Sequence, residues 1–99
     1  MRHLSPRSRR TPENSTRQLS ISQLVRDGLD KSRLWLLEVA PVWFGHGAVK
    51  PCAVCRVRIR VQDIQYDLPV PHGTGTVPVH EDCYRMWLLE SDRRRQFLA

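Results

Sequence analysis

The period of the hydrophobic positions changes along this chain, and the changes mark its elements. In Ser20 to Val39 the spacing is helical: Ile21, Leu24 and Val25 share one face, and Ser20 followed by Gln23 has the spacing of a capping box. Gly28 interrupts the pattern, and Asp30 stands where it would cap a second piece. Leu34 to Leu37 is then a continuous apolar run, of a length that suits a buried helix or a buried strand, so residues 33–39 stay open between the two. Pro41, Gly45 and Gly47 close this helical segment, read as 19–47 and expected to pack on the C-terminal half of the chain.

From Cys52 onward the period falls to two. Val57, Ile59 and Val61 alternate with Arg56, Arg58 and Arg60, which predicts a strand with the aliphatics inward and the three arginines outward. Ile64, Tyr66, Leu68 and Val70 alternate with polar residues, and Val77 and Val79 resume the alternation after Pro71-His72-Gly73-Thr74-Gly75. That stretch is turn chemistry, so a hairpin is expected, centred near Gly73. Glu81 to Phe97 returns to helical spacing. Tyr84, Trp87, Leu88 and Ser91 form a stripe beside Cys83, with Glu81 and Asp82 in the first turn and Arg93, Arg94 and Arg95 in the last, both favourable to the helix dipole. No internal repeat is visible, and the order of elements gives an α+β class.

Charge and cysteine content narrow the picture. Residues 1–18 hold five arginines and one glutamate out of a net charge of +6, leaving eleven basic and nine acidic residues for the rest. The segment is read as a disordered basic tail, serving solubility or nonspecific attraction to phosphate. About 80 residues remain to fold, a size at which a disulfide, a metal or a partner commonly supplements the core. Three cysteines cannot pair off completely, which argues against a disulfide scaffold. The arginines near the N-terminus are not followed by an apolar run of the secretory kind, so a reducing cytoplasm is the expected compartment. No apolar stretch is long enough to span a bilayer, and no membrane partner is expected.

The candidate chemistry lies in two short pairs. Cys52-Ala-Val-Cys55 lets a turn aim both sulfurs at one ion, and His80-Glu-Asp-Cys83 lets the start of a helix do the same with an imidazole and a thiolate. The 24 residues between Cys55 and His80 suffice for a hairpin to leave one pair and return with the other. Thiolate and imidazole ligands in a closed set of four are the donors of structural Zn2+, so the expected metal site is Cys52, Cys55, His80 and Cys83. His72 stands in the turn as a competing ligand for His80.

This arrangement over Pro51 to Phe97 resembles the treble-clef zinc fingers: a cysteine knuckle, a β-hairpin, then a helix carrying the last ligand. Its Cys-Cys-His-Cys order is similar to a LIM half-domain and to the fingers of poly(ADP-ribose) polymerases. It departs from them in lacking a second ligand set, in its shorter gap before the histidine, and in having Arg56 where many knuckles place glycine. The resemblance implies a small zinc-stapled, treble-clef-like module over 48–99, of a group that binds proteins, DNA or RNA.

An enzyme is not expected. Pro51-Cys52-x2-Cys55 is similar to an element of zinc nucleobase deaminases, but those place their histidine before the cysteines and leave a coordination position open for water. No βαβ setting accompanies the Cys-x2-Cys pair, as thiol redox enzymes would require. Two binding roles remain. A protein-binding adaptor or regulator would use exposed aromatics, Trp43 and Phe44 above all, since Trp87 suits the core. The alternative is a nucleic-acid-binding finger using Arg56, Arg58, Arg60 and the basic tail. The near charge balance of the chain without its tail favours the protein partner.

Overall fold

The computed structural model describes residues 20–38 and 42–98, so the expected basic tail over 1–18 lies outside the described residues. Helix α1 covers 20–30 of them. Strands β1 (Trp43–His46), β2 (Ile64–Pro69) and β3 (Thr76–His80) form an antiparallel sheet in the order β1-β2-β3, and helix α2 (Glu81–Leu98) follows β3 without a break. The hairpin falls as expected, with Pro69 opposite Thr76 and the turn closed by Val70 N–H donating to the Gly75 carbonyl, 3.3 Å.

Register and alternation sort the two sheet faces. Phe44, Tyr66 and Val79 are cross-strand neighbours on one face, with Leu68 and Val77 beside them. Tyr84 of α2 stacks on Tyr66, and Tyr66 on Phe44, at centroid distances of 4.5 and 5.5 Å, so α2 covers this face. The stripe expected on α2 is largely the one that is buried: Cys83, Trp87 and Ser91 are fully covered. α1 closes the other side of the core through Ile21 and Val25. Burying a side chain of this size contributes about 1.5–3 kcal/mol.

Three parts of the sequence reading are corrected. First, Gly28 does not interrupt the helix and Asp30 caps no second piece: α1 runs through both and ends in a Schellman turn, with Arg33 N–H donating to the Gly28 carbonyl (2.8 Å) and Ser32 N–H to that of Leu29 (3.2 Å). Ser32 takes the left-handed position at φ 61°.

Second, residues 35–38 are neither helix nor strand. This segment runs irregularly along α2, whose side chains satisfy its backbone: Trp87 Nε1 donates to the Trp35 carbonyl at 2.7 Å, and Ser91 Oγ accepts from Leu37 N–H at 2.9 Å. Trp35 also meets Trp87 edge to face at 5.0 Å. Trp43–His46, read as the close of a helical segment, is instead the strand β1.

Third, Arg56 to Val61 is not a strand. It meets residues 49–51 through one isolated bridge, Pro51 to Arg58, and two backbone bonds between Ile59 and residues 49 and 50. Pro51 has no N–H to extend that ladder, and Arg56 sits at φ 68°, outside the β region. Only Ile59 is buried, while Val57 and Val61 are about as exposed as the arginines around them.

Candidate metal centre

The knuckle is built by local hydrogen bonds. Arg56 N–H donates to the Cys52 carbonyl and Cys52 N–H to that of Val57, both at 3.0 Å, folding the chain back over Ala53-Val54 so that both cysteine side chains face the same way. Arg56 enters the left-handed region to complete the turn. Val54 N–H donates to Cys52 Sγ at 3.4 Å, a bond that favours the thiolate. Ala53 N–H donates to the Pro78 carbonyl at 2.9 Å and fixes the knuckle to β3, the strand that carries His80.

The second pair spans the junction of β3 and α2. His80 is the last residue of the strand and Cys83 lies in the first turn of the helix, where the helix dipole favours a thiolate. The ligand atoms of Cys52, Cys55, His80 and Cys83 all lie within 4.8 Å of one another. Cys55 Sγ is 3.4 Å from His80 Nδ1, beside the roughly 3.5 Å edge of a tetrahedron drawn with ordinary zinc–sulfur and zinc–nitrogen bond lengths. Cys52, His80 and Cys83 are buried and Cys55 is partly so. His72 is exposed in the hairpin turn and is not part of this group, so His80 is the histidine that the fold brings to the cysteines.

The electrostatics of the three thiols fit a cation. A hydrogen bond from Cys83 holds Cys52 well below the usual thiol range, against the opposing effect of burial. The same bond pushes Cys83 up, with burial adding to it, and Cys55 is raised chiefly by burial and by the nearby Cys52 charge. By itself the cluster supports one thiolate and penalises the next two. A divalent cation among the four donor atoms removes that penalty, and this donor set, three sulfurs and one imidazole nitrogen, suits zinc. All four positions of such a site come from the protein.

The side chains of the remaining candidates are not among the four ligand groups, although Arg56 belongs to the knuckle through its backbone and Arg58 and Arg60 line a cleft beside His80. Arg56, Arg58 and Arg60 are exposed. Arg58 donates to the Val49 carbonyl at 3.3 Å, and Arg60 is held by both carboxylate oxygens of Asp63, each at 3.3 Å. Trp43 and Phe44 stand out on β1, 71% and 61% exposed. A cleft of about 540 Å³ beside His80 is lined by Arg58, Arg60, Asp63, Glu81 and Asp82, charges of both signs. The larger hollow, about 600 Å³, lies between α1 and α2 among Leu29, Leu34, Trp35, Leu36 and Phe97 and includes none of the four ligands.

Sequence reasoning missed Glu90, which is buried, pairs with Arg93 of its own helix (3.2 Å) and ties α2 to α1 through Arg26 (3.4 Å). A glutamate amid arginines near a helix end gives no signal of burial. No helix among the described residues is long and apolar enough to cross a membrane. No protein-family model, curated protein or solved structure matches the chain.

Proposed function

We propose that this chain is a non-enzymatic interaction module of treble-clef type, stapled by one structural zinc ion on Cys52, Cys55, His80 and Cys83, and that it acts as an adaptor or regulator by binding a protein. The observation that carries the reading is the closed donor set: four ligand atoms within 4.8 Å of one another, from the knuckle and from the β3–α2 junction, fixed to each other by the Ala53–Pro78 hydrogen bond. A zinc ion with four protein ligands keeps no position for a substrate or an activated water, so its role is to hold the fold. The binding surface in this reading is β1, where Trp43 and Phe44 are exposed although aromatic residues of a small domain are ordinarily spent on its core.

A second reading, nucleic-acid binding, is supported by the segment 48–62, which contains Lys50, Arg56, Arg58 and Arg60 and no acidic residue. It takes second place because Arg60 is committed to Asp63, and because Val57 and Val61 beside the arginines offer no aromatic face on which a base would stack.

Elemental analysis of the purified chain should find one zinc per chain, lost in Cys55→Ser. With zinc content unchanged, Trp43→Ala and Phe44→Ala should abolish capture of a protein partner, while Arg58→Ser with Arg60→Ser should leave it intact. If instead the arginine pair removes salt-dependent binding to a random-sequence duplex, and the aromatic changes do nothing, the nucleic-acid reading replaces the first.

A further inference from the structure

The outer edge of β1 is open among the described residues. Gly47 N–H donates to the Asp63 carbonyl at 3.0 Å, which fixes the hydrogen-bonding parity of the β1–β2 ladder. Gly47, Gly45 and Trp43 direct their backbone groups at β2, so Phe44 and His46 direct theirs away from the sheet. Edge strands are ordinarily protected by lysine, proline, an inward charge or a bulge. β1 reads Trp-Phe-Gly-His, with none of these.

We infer that β1 is a self-association edge, pairing antiparallel with β1 of a second copy about a twofold axis through Gly45. The sequence of the strand fits itself in this register. Phe44 and His46′ of the second copy exchange both backbone hydrogen bonds, and so do His46 and Phe44′, giving four in all. The axial pair is Gly45 with Gly45′, a non-hydrogen-bonded pair whose Cα atoms approach to about 4.5 Å. No side chain stands between them. Trp43 already lies over Gly45, where an added Cβ would sit 3.3 Å from the indole. The two indoles therefore flank the glycine pair on one face, while each Phe44 meets the other copy's His46 on the face that carries Tyr66. The product is one six-stranded sheet, β3-β2-β1-β1′-β2′-β3′.

The area sets the size class of the interface. A stable interface buries about 800 Å² per partner, whereas two aromatic side chains of about 150–250 Å² each, already partly covered, supply roughly half of that. An interface of that size falls in the class of weak, transient contacts, so the dimer forms only at high chain concentration. This inference rests on the same exposed strand as the proposed function and names an occupant for its edge.

The test is sedimentation equilibrium of the zinc-loaded full chain from about 10 μM to about 1 mM, a range over which mass action populates a weak dimer. Two variants accompany it. His46→Pro deletes one outward N–H, uses no bond of the existing sheet and leaves Trp43 and Phe44 in place. Phe44→Lys puts a charge on the edge without touching the backbone. The expected result is a monomer–dimer equilibrium in the wild type, weakened at least tenfold in both variants with zinc content unchanged. Should His46→Pro fail to fold, Phe44→Lys alone decides. A wild-type chain that is monomeric throughout the range overturns the inference, as does a dimer undiminished by the substitutions. Partner capture by a strictly monomeric chain would overturn it while sparing the proposed function. A dimer in a chain that holds no zinc would do the reverse.

Discussion

Arg56 and Ser32 occupy left-handed backbone, at φ 68° and 61°, in turns where glycine is the usual residue. A residue with a Cβ costs about 1–2 kcal/mol there, partly offset because glycine loses more freedom on folding. Arg56→Gly should therefore raise stability by about 0.5–1 kcal/mol in a urea titration of the zinc-loaded protein, with zinc stoichiometry unchanged. Gly47 presents the opposite case. A Cβ added there would lie 2.0 Å from the Arg60 carbonyl oxygen, a backbone atom that cannot swing away. Gly47→Ala should destabilise by about 2 kcal/mol or more, visible as a lower urea midpoint with the same slope. In the sequence Gly47 reads only as a breaker. Its contact is with a residue thirteen positions away, which no local pattern displays.

At the scale of elements, α2 holds the irregular segment 35–38 through Ser91 and Trp87. Ser91→Ala strands the buried Leu37 N–H, so a loss of roughly 1–3 kcal/mol is expected. Hydrogen exchange at the Leu37 amide should accelerate, which separates this effect from a general loss of packing. The helix α2 and the β2–β3 hairpin are legible in the sequence because each carries a clear hydrophobic period and local end signals. β1 is not. Its first two residues, Trp43 and Phe44, are both apolar and both exposed, so it shows no alternation, and it is a strand only because β2, some twenty residues on, supplies its hydrogen bonds. Val57 and Val61 mislead in the other direction, since a period of two without a ladder partner does not make a strand. The apolar run at 34–37 fits two templates, and tertiary hydrogen bonds choose neither.

For the whole molecule, the candidate site is more legible than the fold around it. Ligand chemistry restricts the residue types and gaps, so Cys52, Cys55, His80 and Cys83 announce themselves without any knowledge of the packing. Structural zinc supplies about 10–16 kcal/mol of apparent binding energy in finger peptides at neutral pH, comparable with the entire stability of a domain this small. Chelation should therefore unfold the region from Pro51 to Phe97, followed as loss of dispersed amide signals. Acid should act in the same direction. Zinc binds the deprotonated sulfurs, so affinity falls as pH falls, and a zinc-sensitive dye should record one equivalent released on acidification. The edge-to-face contact of Trp35 and Trp87 gives this unfolding an optical handle. Two indoles 5.0 Å apart at 68° form a coupled pair of transition dipoles, so the folded chain should show an exciton couplet in its far-ultraviolet circular dichroism. Trp43, largely exposed on β1, should contribute little to that signal and should instead emit at the red edge of the fluorescence. One sample thus carries two colours of report, the couplet for the grip of α2 on the preceding segment and the red emission for whatever comes to rest on β1.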